Sequence, residues 1–215
     1  MQIRLFTVLT LALACGLAAA QPQVTVLERQ SFSGDELGAP EAAAQRMRLA
    51  VVILEDSGWT RARAVASLLE AATILAQCGV ALERVEFIVL EVPPDHMDFS
   101  TAAARELARA VPVARPAVWL VRETRNRPAF DAEAIGRGNS RTRPEIADTV
   151  WITVAARDAG IVFAHELAHV LMDSGEHSDG ERNLMREDTS PRNTSLSAAQ
   201  CARLRDTGRA NGLLK

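Results

Sequence analysis

Hydrophobic positions along this chain fall into runs of two periodicities. Residues 48–55 (RLAVVILE), 85–92 (VEFIVLEV), 117–121 and 150–155 (VWITVA) are short, nearly unbroken apolar runs rich in branched side chains. Runs of that kind predict strands buried on both faces. Between the first two, residues 60–78 place Val65, Leu68, Leu69, Ala72, Ile74 and Leu75 at helical spacing, and Gly79 follows as a stop. Pro93 and Pro94 end the second strand, and Ser100 opens a helix to about residue 110. Residues 21–45 are polar and mixed, with Gly34, Gly38 and Pro40, and read as an N-terminal arm. Residues 122–144 carry Arg122, Arg125, Arg127, Arg137, Arg141 and Arg143, with a short edge strand expected around 130–135. This stretch reads as a solvated loop, or as a cleft rim that prefers acidic substrates. A third helix follows residue 155, with Asp158 as its expected N-cap and Gly175 as its expected stop. Ser197 and Gln200 have capping-box spacing and predict a closing helix.

The third helix carries the chemistry. His165, Glu166 and His169 spell H-E-x-x-H, and Ile161, Val162, Leu167, Val170 and Leu171 supply apolar faces around them. Histidines at i and i+4 share one helix face, so two imidazoles there can grip one metal ion. Glu166 is rotated about 100° from His165, within reach of a water on that ion. His177 follows, so three of the chain's four histidines lie within thirteen residues. Three neutral imidazoles with an open fourth position suit catalytic zinc, Zn2+. Other third ligands remain open: Asp173, Glu176, Asp179 and the more distant Glu187. His96, the remaining histidine, is expected on the surface.

Composition narrows the class. The formal net charge is −3 over 215 residues, which argues against a nucleic-acid partner. Arg4 and the apolar run 5–14 precede Ala18, Ala19 and Ala20, so residues 1–20 read as a secretory signal peptide. That run is too short to span a bilayer, and no other segment approaches the roughly 20 apolar residues required. The residues before Cys15 make a poor lipoprotein signal, so a lipid anchor there is not expected. A secreted or periplasmic protein is expected, and residues 46–215 would form one catalytic domain. Cys78 and Cys201 would then remain as a pair suited to a disulfide. Asn193, Thr194 and Ser195 form a glycosylation sequon.

The stretch from His165 through Gly175 and His177 to Met185 resembles the metzincin zinc metallopeptidases, most closely the matrixin-like group. That resemblance implies an α+β fold: a mixed sheet with packed helices, an active-site helix, and a small C-terminal subdomain with a methionine turn and a closing helix. It implies Zn2+ on His165, His169 and His177, Glu166 as general base, Met185 in the methionine turn, and a protein or peptide substrate. The usual pattern is H-E-x-x-H-x-x-G-x-x-H. Here Met172 holds the position of the family's glycine and Gly175 that of its third histidine, so the helix would have to run nearly a turn further before reversing. The chain contains no tyrosine, so a device that some metzincins use against the zinc or the oxyanion is absent. An oxyanion would then be held by zinc, by backbone N–H groups or by an arginine such as Arg186. Two other functional readings are compatible with the residues. One is a non-catalytic exported zinc-binding or interaction protein, whose fourth position Asp173 or Glu176 would close. The other is a zinc hydrolase of a non-peptide substrate.

Overall fold

The computed structural model describes residues 23–39, 43–124, 134–136 and 144–215, the three residues 134–136 as backbone only. The signal-peptide reading, Cys15 and most of the arginine-rich stretch lie outside the described residues.

Among the described residues, ten strands and α-helices follow in order. They are β1 (Thr25–Ser33), β2 (Gln45–Leu54), α1 (Arg61–Ala76), β3 (Val80–Glu91), α2 (Thr101–Ala110), β4 (Ala117–Val121), β5 (Ala134–Gly136), β6 (Thr149–Thr153), α3 (Ala159–Met172) and α4 (Ala198–Ala210). The strands form one sheet in the order β1-β3-β2-β4-β6-β5. The inner strands β3, β2, β4 and β6 run parallel, and the edge strands β1 and β5 are antiparallel to their neighbours.

Both sheet faces are covered, which is why the inner strands are apolar without alternation. Along β2, Leu49, Val51 and Ile53 enter the core shared with α1 and α3. The intervening Ala50, Val52 and Leu54 enter the opposite core, beneath α2. There Trp119 and Trp151 stack at 4.8 Å on adjacent strands. The arm differs from its expectation, because residues 25–33 form a nine-residue strand, β1. Most of its side chains are exposed, so it carries no apolar signature.

His96 is not on the surface. It is 8 % exposed, in a 3-10 turn (Pro94–His96) beside α2. Its ring nitrogens face Asp95 Oδ1 at 2.9 Å and Glu106 Oε2 at 2.8 Å.

Three features hold α3 and α4 in place. At Gly160, an added Cβ would lie 2.6 Å from Glu70 Cβ on α1, so α1 and α3 meet here at a distance only glycine permits. A disulfide joins Cys78, just beyond α1, to Cys201 in the first turn of α4. The chain end returns to the sheet: Arg46 and Lys215 exchange backbone hydrogen bonds of 2.8 and 3.0 Å.

Candidate metal centre

Helix α3 lies wholly inside the protein, and all fourteen of its residues are buried. Burying polar groups without partners is costly. Yet the helix carries His165 at 3 %, Glu166 at 7 % and His169 at 7 % exposure. A helix with two solvent-facing histidines is excluded by those values.

Two backbone carbonyls orient the rings. His165 Nδ1 lies 2.7 Å from the Leu184 carbonyl oxygen, and His169 Nδ1 lies 2.6 Å from that of Ser174. A carbonyl only accepts, so each Nδ1 is the protonated nitrogen and each Nε2 of the neutral ring presents a lone pair. The two Nε2 atoms face each other at 2.9 Å. Burial keeps the rings neutral, depressing His165 and bringing His169, which also feels His165, down to about 4. Two lone pairs held face to face repel unless a cation lies against both. His177 completes the group from exposed chain, its ring centroid 5.4 Å from that of His165 and 5.0 Å from that of His169. Ligand atoms of the three histidines all lie within 4.8 Å of one another. This donor set fits a divalent ion with a preference for imidazole nitrogen. Asp173, Glu176, Asp179 and Glu187 are not in the group. Glu176 instead pairs with Arg203 at 2.8 Å.

The longer spacing to the third histidine has a local explanation. Helix α3 stops at Met172, without the additional turn the spacing implies, and Asp173 takes the left-handed conformation at φ 46°. Aspartate tolerates that conformation better than most side chains. The Asp173 and Ser174 N–H groups then close on the His169 and Val170 carbonyls. Gly175, expected as the stop, is an ordinary loop residue without positive φ, and the two additional residues lie in the loop before His177. Asp158 precedes the helix but makes no side-chain capping bond. Instead Arg63 of α1 holds the segment entering α3, donating to the carbonyls of Val154 and Ala156 at 2.9 and 2.6 Å.

Glu166 is buried beside the histidines, and its Oε2 has no hydrogen-bond partner among the described residues. Burial pushes its carboxyl up to about 7. Met185 is buried, and its carbonyl accepts the Ser178 N–H at 2.7 Å, one residue past His177. The turn at Met185 therefore carries both the Leu184 carbonyl that holds His165 and a contact with the loop of the third histidine. Arg186 is committed to that loop, bonding Asp188 at 3.0 Å and the Asp179 carbonyl at 3.2 Å. Arg122, the described member of the arginine stretch nearest β4, pairs with Asp98 at 2.8 Å. The capping box of Ser197 and Gln200 is present on α4. Gln200 also bonds Asn183, a link that sequence reasoning missed because the cap alone accounts for a glutamine there.

No protein-family model matches the chain. No curated protein matches it either. Among solved structures it is similar to metalloproteinase-II from Bacteroides fragilis, with 18 % identity and a TM-score of 0.53. The match covers 78 % of this chain and 54 % of that one, so the chain spans about half the length of that structure. The chain has a metalloproteinase-like fold. At this identity the likeness concerns the fold, and the chemistry must be argued from the residues.

Proposed function

We propose that this protein is an exported zinc-dependent metallopeptidase of metzincin type, with His165, His169 and His177 as metal ligands and Glu166 as general base. The observation that carries this reading is the pair of Nε2 lone pairs facing each other at 2.9 Å, each fixed by a carbonyl behind its ring. That arrangement is costly without a cation. The exposed third histidine leaves the group open on one side, as catalysis requires and a closed structural shell does not.

Zinc in such a site supplies Lewis acidity, polarising a carbonyl and acidifying water. Glu166 accepts the proton of the attacking water and returns it to the leaving amine. A carboxyl near 7 suits both halves of that task at neutral pH. Its partnerless oxygen keeps an acceptor free for that proton. The Leu184 and Ser174 carbonyls keep both histidines in one tautomer throughout. Met185 stands in the turn whose Leu184 carbonyl holds His165. Strand β5 is last in the sheet order among the described residues and lies against α3, and an extended peptide would add along it by backbone hydrogen bonds. The signal-like residues 1–20 and the disulfide both support export.

Metal analysis of the purified mature protein, wild type beside His177→Ala, tests the site. One zinc per chain in wild type and marked loss in the variant is the expected result. Full zinc retention in His177→Ala would move the third ligand elsewhere, and no zinc in either would end the reading. Glu166→Ala should keep zinc and lose peptide hydrolysis. Wild-type cleavage by that variant would remove Glu166 from the mechanism.

A further inference from the structure

One polar feature behind the histidines is not explained by metal binding alone. The side-chain amides of Asn183 and Gln200 form a closed pair. Asn183 Nδ2 donates to Gln200 Oε1 at 2.9 Å, and Gln200 Nε2 donates to Asn183 Oδ1 at 3.1 Å. Both oxygens accept a second bond. Asn183 Oδ1 takes the Met185 N–H at 2.9 Å, and Gln200 Oε1 takes the Ser197 N–H at 2.8 Å. The pair therefore lies between two backbone segments. One is the turn of Asn183, Leu184 and Met185, whose middle carbonyl holds His165 Nδ1 at 2.7 Å. The other is the first turn of α4, where the next residue, Cys201, is tied to Cys78.

Capping does not account for this geometry. A capping box needs an acceptor at its last position, and glutamate serves there as well as glutamine. What glutamine adds is a donor, and here that donor goes to Asn183. We propose that Gln200 is a positioning residue for the metal site: its amide fixes the turn whose Leu184 carbonyl orients His165. The inference rests on reading the three histidines as a metal site. It extends that reading from the ligands to a residue on another helix. Groups that orient a metal-binding histidine commonly change metal affinity about 10- to 100-fold when removed.

Gln200→Glu separates the two roles. The carboxylate still accepts from Ser197 and from Asn183 Nδ2, so the cap survives. It cannot donate, and it sets an oxygen against Asn183 Oδ1. Ser197→Ala is the counterpart, removing the side chain that accepts the Gln200 N–H at 3.2 Å while leaving the amide pair. Three quantities are measured on the full mature chain. These are zinc affinity by competition with a chromophoric chelator, melting temperature, and exchange of the His165 Nδ1 proton by NMR in metal-free protein. Gln200→Glu should bind zinc about 10- to 100-fold more weakly. Its His165 proton should exchange faster, at a melting temperature close to wild type. Ser197→Ala should melt earlier and keep both the affinity and the slow proton. Wild-type affinity and exchange in Gln200→Glu would overturn the inference. So would loss of affinity in both variants in step with melting temperature. If wild type takes no zinc, the metal-site reading fails, and the His165 proton still decides whether Gln200 acts on that ring.

Discussion

Arg63 lies over the ring of Trp59, its guanidinium carbon 4.3 Å from the ring centroid, while its two terminal nitrogens hold the Val154 and Ala156 carbonyls. Trp59 in turn donates from Nε1 to the Val121 carbonyl at 3.1 Å. One arginine on α1 thus joins the ends of β4 and β6 to the entry of α3. Lysine can reproduce the charge but not the flat, forked donor. Arg63→Lys is expected to cost about 1–3 kcal/mol, the range for charge-assisted hydrogen bonds together with a cation–π contact. Urea unfolding checks this, and a midpoint equal to wild type would show that the loop entering α3 holds itself.

Gly160→Ala tests how closely α1 and α3 approach. The new methyl meets the Glu70 Cβ, which cannot swing away as a side-chain tip can. Overpacking of this kind costs about 1–3 kcal/mol. Glu70→Gly removes that Cβ and should offset part of the loss beyond its own helix-propensity cost of about 1 kcal/mol, and a double-mutant cycle measures the coupling. Independent, additive effects would contradict the close contact.

Much of this architecture was legible in the sequence, because the inner strands are buried on both faces and their apolar runs have one reading. The H-E-x-x-H spacing likewise brings His165 and His169 to one face on any helix. What escaped depended on partners remote in the chain. β1 is held by its pairing with β3 and carries no apolar stripe of its own. His96 is buried by Glu106, ten residues on and on another element. The reversal after α3 falls on Asp173 rather than Gly175, since the closing hydrogen bonds to His169 and Val170 fix its position and glycine content does not. The sequon asparagine likewise has a partner that its local sequence does not reveal. Asn193 is 6 % exposed and its Nδ2 donates to the Asp188 carbonyl at 2.9 Å.

The disulfide joins Cys78 and Cys201 across a sequence separation of 123. By the chain-entropy argument a loop near that size contributes about 5 kcal/mol, and measured values usually fall below that figure. Cys78→Ser with Cys201→Ser is expected to lose about 2–5 kcal/mol in chemical unfolding. Both cysteines are buried, so mild reductant should leave the folded protein oxidised until it opens. Rapid reduction under native conditions, followed by thiol labelling, would contradict that burial.

His96 gives stability a pH dependence that sets in from its ordinary value of 6.5 upward. Burial alone would lower its pKa, but the bonds to Asp95 and Glu106 outweigh it, so the folded value lies above the ordinary 6.5. A histidine whose pKa rises on folding stabilises fully below its unfolded value, and that contribution fades as pH climbs through the folded one. Unfolding midpoints should therefore decline from pH 6.5 upward, and His96→Gln should flatten the decline. An identical slope in the variant would assign the effect to other groups.

The unequal exposure of the three histidines governs how an ion would come and go. His165 and His169 stand on a helix with no solvent-facing residue, whereas His177 stands on open chain past the Asp173 reversal. Exchange of an ion would then run on the His177 side, where the chain is exposed, and would not require the buried helix to open.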